Sequence, residues 1–282
     1  MTDEPLISVL IVAYNREKYL AQAIESVLAS TFTNFELIIV DDCSIDRTLA
    51  IAKKFEGEDK RISVYQNKKN IGQFANRNKA AFYAKGYFLK YVDSDDIIYP
   101  NTLQFMVDSM MKFPNAALGF CLLNESLNKA LPCQIESKIA LQQHYFSGGL
   151  LFVGPSGLII KRTAFETVNG FEEFGMPSDN HLSLKIASTY PVVALPKNLF
   201  LWRTHEGQVF FENINNHQNI LNNYQYSKDI IINYSPLSSD INKRIMRNLH
   251  KIFLSHLLRL IFKKGKPRVA LNLFLQMQNE KS

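Results

Sequence analysis

Four short, β-rich and largely apolar runs, each followed by a stretch with a different rhythm, constrain this chain more than any other feature. They are LISVLIV (6–12), FELIIV (35–40), RISVYQ (61–66) and YFLKYV (87–92). A strand that is apolar along its whole length is covered on both faces, as strands of parallel sheets are. Between the runs, Leu20, Ala23, Ile24, Val27 and Leu28 recur at helical spacing. Asp46 can cap a helix carrying Leu49, Ile51, Ala52 and Phe55, and a third helix is expected over 73–85. The βαβαβαβ order predicts a mainly parallel sheet flanked by helices. Such sheets take ligands at the carboxyl ends of their strands, so the polar groups just after each strand are where chemistry is expected.

Three strands end in polar clusters: Ala13-Tyr14-Asn15-Arg16, Asp41-Asp42-Cys43-Ser44, and Asp93-Ser94-Asp95-Asp96. The third is the sharpest. Carboxylates crowded at one strand end repel each other unless a cation joins them. Oxygen ligands suit Mg²⁺ or Mn²⁺, which complete their shell with water and substrate phosphates. A diphosphate held by such an ion becomes a good leaving group. Duller roles exist for each residue: Tyr14 in a core, Asn15 capping the first helix, Asp41 and Asp42 capping the second. They do not explain why acids and a Tyr fall on one rim.

Downstream, Pro100 can start a helix with Leu103, Met106, Val107 and Met110, and ALGFCLL (117–123) reads as a strand. Over 124–154 the pattern is loose and reads as a mobile loop beside the site. A less regular portion follows to about 210, and from 216 the chain reads as helical. This organises the chain as 1–215, in two parts (1–123 and 124–215), followed by a basic helical region, 216–282.

The stretches SVLIVAYNREKYLAQAIESVLAS, FELIIVDDCSIDRT, NIGQFANRNKAA and FLKYVDSDDIIYP resemble, in order and interval, the nucleotide-binding half of the inverting glycosyltransferase family 2. The resemblance implies the α/β GT-A fold, a nucleotide-diphosphate sugar donor with uracil as the favoured base, and Mn²⁺ or Mg²⁺. It implies that Ala13 and Tyr14 pack on the nucleobase, Asp42 bonds the base, Arg77 approaches the diphosphate or sugar, Asp93 bonds the ribose and Asp95 binds the metal. Asn15, Arg16 and Ser94 complete the donor-binding set, and Asp96 supports the metal or touches the donor. VGPSGLIIKRTAFETVNGFEE resembles the family's acceptor-side segment. In the MPSDNHLSLKIA stretch, Asp179 takes the position of the family's general base, but Ser178 replaces the usual Glu. Asp179 could instead be a helix N-cap. LWRTHEGQV resembles the family's Arg-x-His segment, which makes His205 a further metal ligand. The acceptor would be a glycan or lipid-linked glycan hydroxyl. The alternatives are a nucleotide-sugar binding protein without catalysis, and a nucleotidyltransferase, for which AYNRE lacks the basic Gly-rich loop.

Composition narrows the rest. Three scattered cysteines form no ligand pair and no disulfide framework, which fits a reducing compartment. No apolar stretch reaches the length of about 18 residues that a span needs. The expectation is a cytoplasmic protein, or one peripheral on the inner face of the membrane. Residues 241–282 hold ten basic residues and one acid, in a chain of net charge +6, so residues 1–240 are net −3. Such asymmetry excludes a general nucleic-acid binder and points to a local acidic partner. Ile245, Leu249, Ile252, Phe253, Leu257, Leu260 and Ile261 form a helical stripe among these cations. It can lie on an anionic membrane, pack on the catalytic domain, or join a second subunit in a homo-oligomer.

Overall fold

The computed structural model describes residues 5–122, 129–175, 178–205, 208 and 216–279. The first four strands are β1 (Ile7–Ala13), β2 (Phe35–Asp41), β3 (Ile62–Gln66) and β4 (Phe88–Tyr91), alternating with α1 (Leu20–Leu28), α2 (Thr48–Glu58) and α3 (Gln73–Tyr83). They pair in parallel, in the order β3-β2-β1-β4. Register sets the rim: Ala13 lies opposite Asp41, and Leu10 opposite Tyr91, so β1, β2 and β4 deliver their polar ends to one edge of the sheet.

Both faces of these strands are covered, as the apolar runs require. Val9, Ile11, Leu37 and Ile39 belong to one core cluster, while Leu10, Ile38 and Val40 belong to the other. The alternation is the period-two consequence of strand geometry.

The chain continues through β5 (Ile97–Ile98), α4 (Thr102–Lys112), β6 (Leu118–Cys121), β7 (Cys133–Ile135), α5 (Ser137–Phe146), β8 (Leu158–Lys161), α6 (Arg162–Thr167), α7 (Ser178–Thr189), β9 (Val192–Leu195) and β10 (Phe200–Leu201). The full sheet runs β3-β2-β1-β4-β8-β6-β9-β7. β8 is antiparallel to β4 and β6, and β7 to β9, so the sheet is mixed. β5 and β10 form a two-stranded ribbon that begins immediately after Asp96.

The loop expected over 124–154 is therefore a correction. Residues 123–128 lie outside the described residues, but β7 and α5 occupy much of the rest. α5 buries only Ala140, Leu141 and His144 among polar neighbours, so it carries no stripe that periodicity could detect.

The C-terminal region holds α8 (Gln218–Asp229), a π turn (Ile230–Tyr234), α9 (Ser239–Phe262) and α10 (Pro267–Asn279). Tyr226, Ile230, Ile231, Leu237 and Ile245 join the main core. Beyond them, Leu221, Tyr224, Phe253, Leu257, Leu260, Ala270, Leu273 and Met277 build a separate cluster. Most of the stripe read from the sequence packs inward on these two cores.

The loop after α6 docks on α3 through a two-way clip. Asn78 Oδ1 accepts from Phe171 N–H at 2.9 Å, and its Nδ2 donates to Phe171 C=O at 2.9 Å. Gly170 makes this possible. Its φ is +67°, and an added Cβ would stand 2.5 Å from Asn78 Oδ1 and 2.9 Å from Phe165. Gly170→Ala is expected to cost about 2–3 kcal/mol, from left-handed strain plus overpacking. Urea unfolding should show a lower midpoint with an unchanged slope.

Candidate active site

The turns after β1 and β2 are stitched together by their own polar groups. Asn15 adopts φ +52°, a left-handed conformation that Asn tolerates better than most residues. Its N–H donates to Ser44 Oγ at 2.9 Å, and its Oδ1 accepts from Ile45 N–H at 3.0 Å. Arg16 N–H donates to Thr48 Oγ at 2.7 Å. Asn15 is thus a cross-link between turns and caps no helix. Asp46 does the capping at α2, accepting from Thr48 N–H at 2.9 Å. Ala13 is buried, while Tyr14 is 44% exposed, which leaves its ring open and sets aside a core role.

Asp42 faces inward. Its Oδ1 accepts from Asn67 Nδ2 at 2.7 Å and Ile71 N–H at 2.9 Å, and its Oδ2 from Gly72 N–H at 3.0 Å. These bonds shape the loop that leads into α3. A carboxylate offers about four acceptor positions, so one remains on Oδ2.

Arg77, in α3, lies between the two halves of the rim. It donates from Nη2 to Asp93 Oδ1 at 2.8 Å and from Nη1 to Asp179 Oδ1 at 2.5 Å. Its guanidinium stands 5.5 Å from the Phe74 ring centre and 5.6 Å from that of Phe171, within the range of cation–π attraction. Burial works against its charge, but Asp179 and Asp93 outweigh that and raise its pKa. Asp179 sits in the first turn of α7 with its carboxylate on Arg77. Burial pushes its pKa up to about 6, Arg77 opposes this and Asp93 adds to it. Ser178, where the family has Glu, accepts from Phe174 N–H at 2.8 Å and donates to Gly175 C=O at 2.8 Å, fixing the turn before α7.

The Asp93-Ser94-Asp95-Asp96 turn is crowded as its sequence implies. Ser94, Asp95 and Asp96 are all buried. Burial and the neighbouring Asp93 hold Asp96 up at about 7, partly offset by Ser156 and by Arg203 N–H. Arg203 N–H donates to Asp96 Oδ1 at 3.1 Å. Asp95 Oδ2 meets His205 Nε2 at 3.0 Å and Arg16 Nε at 3.5 Å. The His205 ring stacks on Tyr19, with centres 4.2 Å apart. Ligands in adjacent positions around an octahedral ion at about 2.1 Å stand about 3.0 Å apart. The Asp95–His205 pair, an oxygen and an imidazole nitrogen, therefore fits a divalent cation such as Mn²⁺ or Mg²⁺.

Two residues of the site escape sequence reasoning. Lys90, fully buried in β4, donates to Tyr91 C=O and Ser156 C=O, and burial lowers its pKa to about 8. Ser156 Oγ accepts from Asp93 N–H at 2.9 Å. Together they pin the acidic turn to the segment before β8. The one visible signal was a Lys inside an apolar strand.

Comparison with known proteins places the chain in a family and a fold. Residues 8–168 match the family described as Glycosyl transferase family 2. The chain is 38% identical over 110 residues to the Escherichia coli protein named UDP-Glc:alpha-D-GlcNAc-diphosphoundecaprenol beta-1,3-glucosyltransferase WfgD, covering 39% of this chain and 43% of that one. It is 27% identical over 228 residues to glycosyltransferase GlyG of Streptococcus pneumoniae, 72% of each chain. The chain spans less than half the length of most curated relatives it matches. In fold it is similar to S. aureus TarS 1–349, crystallised with UDP-GlcNAc, with TM-score 0.71 and 22% identity over 96% of this chain and 81% of that one. The mixed sheet, its acidic rim and the family match over more than half of the sequence make this chain a member of glycosyl transferase family 2, with the GT-A fold.

Proposed function

We propose that this protein is an inverting glycosyltransferase that moves a sugar from a UDP-linked donor to a hydroxyl of a glycan or lipid-linked glycan. The observation that carries the reading is the Arg77 bridge, 2.8 Å to Asp93 and 2.5 Å to Asp179. It holds a donor-side acid and the acid in the family's base position within one guanidinium of each other. The UDP preference is supported by the names of WfgD and of the TarS complex, and by the acceptor position left on Asp42 for a base N–H.

In this reading the base lies on the exposed Tyr14 ring against Ala13, and Asp93 bonds the ribose. Asp95 and His205 would hold a divalent cation, which would supply positive charge to the departing diphosphate. Arg16, beside Asp95, and Arg77 supply fixed positive charge to the same phosphates. Asp179 takes the proton from the acceptor hydroxyl as that oxygen attacks the anomeric carbon from the side opposite the diphosphate. Backside attack inverts the configuration.

Titration calorimetry of UDP tests the donor site. Binding in the presence of Mn²⁺, weakened at least about tenfold in Asp95→Ala, is expected. No binding of any nucleoside diphosphate would overturn the reading.

Asp179→Asn should leave UDP affinity within about twofold and lower kcat by about 10²–10⁴, the usual share of a general base. Asp179 must be ionised to accept a proton, and its pKa is raised to about 6. The wild-type kcat/KM should therefore fall as pH drops through about 6 and level off above it. An acid limb centred near 4 would show that Arg77 outweighs burial at Asp179, and a fully active Asp179→Asn enzyme would exclude Asp179 as the base.

A further inference from the structure

The outer face of α9 changes character along its length. Lys243, Arg247, Lys251, Leu254 and Leu258 follow each other at three- and four-residue steps, and Ile261 and Phe262 lie three and four residues beyond Leu258, the spacing of one helix face. All are exposed, with Leu258 at 54% and Phe262 at 79%. The opposite face, through Ile245, Phe253, Leu257 and Leu260, is buried on the protein itself. The first half of the outer face is thus basic and the second half apolar. The turn into α10 continues the theme: residues 261–269 are all exposed and include Lys263, Lys264, Lys266 and Arg268 beside Ile261, Phe262 and Val269. Leu271 and Leu275 add exposed apolar surface on α10, at 59% and 50%.

We infer that the tip of the α9–α10 hairpin is a docking surface for an anionic lipid bilayer. Leu258, Ile261 and Phe262 would enter the boundary between headgroups and acyl chains, with the tip cations at headgroup level and Lys243, Arg247 and Lys251 trailing along the surface. Three features favour a bilayer over other partners. Residues 241–279 carry nine basic side chains and no acid, so two copies facing each other here would bring like charges together. Leucine and phenylalanine interleaved with the cations give a nucleic-acid backbone nothing to pair with, whereas a bilayer offers both an acyl layer and anionic headgroups. No helix among the described residues is long and apolar enough to cross a membrane, so attachment at the interface is the mode this surface can support. The surface stands independently of the donor chemistry.

Co-sedimentation with phosphatidylcholine vesicles, with and without phosphatidylglycerol, tests it. The full chain is expected to pellet with the anionic vesicles and remain in solution with the neutral ones. Leu258→Ser with Phe262→Ser should lower anionic-vesicle partitioning by at least about tenfold, and Lys263→Glu with Lys264→Glu should do the same through charge alone. Every position substituted is exposed, and an unchanged far-UV circular dichroism spectrum and urea midpoint of each variant show that the fold is intact. Failure of the wild type to pellet with anionic vesicles, or equal pelleting by both double variants, overturns the proposal. So does a wild-type dimer in sedimentation velocity that the Leu258/Phe262 variant dissolves while vesicle binding is absent, which would assign the face to a second copy.

Discussion

The junction between the two halves of the rim depends on one guanidinium placed between two acids. Arg77 projects from α3 into a space that also receives Asp93 from the end of β4 and Asp179 from the start of α7. Without it, two partly buried carboxylates would face each other with no counter-charge, and one would be protonated to relieve the repulsion. A lysine could neutralise one of them, but it has no planar fork to engage both at once. Phe74 and Phe171 flank the group, and the Phe171 position is in turn set by the Asn78 clip and by Gly170. The consecutive residues Asn76, Arg77 and Asn78 therefore each do separate work. Asn76 donates to Val40 C=O at 3.0 Å, Arg77 pairs the acids, and Asn78 holds the loop after α6.

The acidic turn after β4 is balanced the same way from below. Lys90 is the only cation that the core places behind Asp93 and Asp96 among the described residues. It costs desolvation, which is why its pKa falls, yet its ammonium satisfies two carbonyls and offsets the acids in front. Positive charge thus reaches the cluster from Lys90 behind, Arg77 at one side and Arg16 at the other.

The first part of the chain, through β4, was legible in the sequence because its strands are buried on both faces. Apolar runs, helical spacing and polar strand ends are all local signals, and β1 to β4 formed where those signals lay. The part from β7 to β10 was less legible for the opposite reason. β7 and β8 are short antiparallel additions, and α5 meets the core through three residues, so neither leaves a repeating pattern. Asp179 and His205 could be singled out only through family resemblance, because their partners Arg77 and Asp95 lie 102 and 110 residues away. Asp42 shows the converse limit. Its position was plain, but the three donors that turn it inward come from residues 25 to 30 positions further along the chain. The stripe in α9 was read correctly as amphipathic, yet periodicity alone could not tell its packed face from its free one.

The C-terminal helices bear on the site through α7. His181, two residues beyond Asp179, is fully buried and meets Asp229 of α8 at 2.8 Å. Burial lowers its pKa, and the bond to Asp229 opposes that shift. One turn further on, Lys185 pairs with Glu172 and stands 4.9 Å from the Tyr234 ring of the π turn. α7 is therefore gripped from the donor side by Arg77 and from the other side by α8 and the π turn. Glu172, His181 and Asp229 lie close enough to suggest a second metal cluster, but the Lys185 ammonium already supplies the positive charge such a cluster would seek. The consequence is mechanical. The first turn of α7 cannot shift without straining contacts to the same helices that lead into α9, so the helices carrying the basic hairpin also help set the position of Asp179.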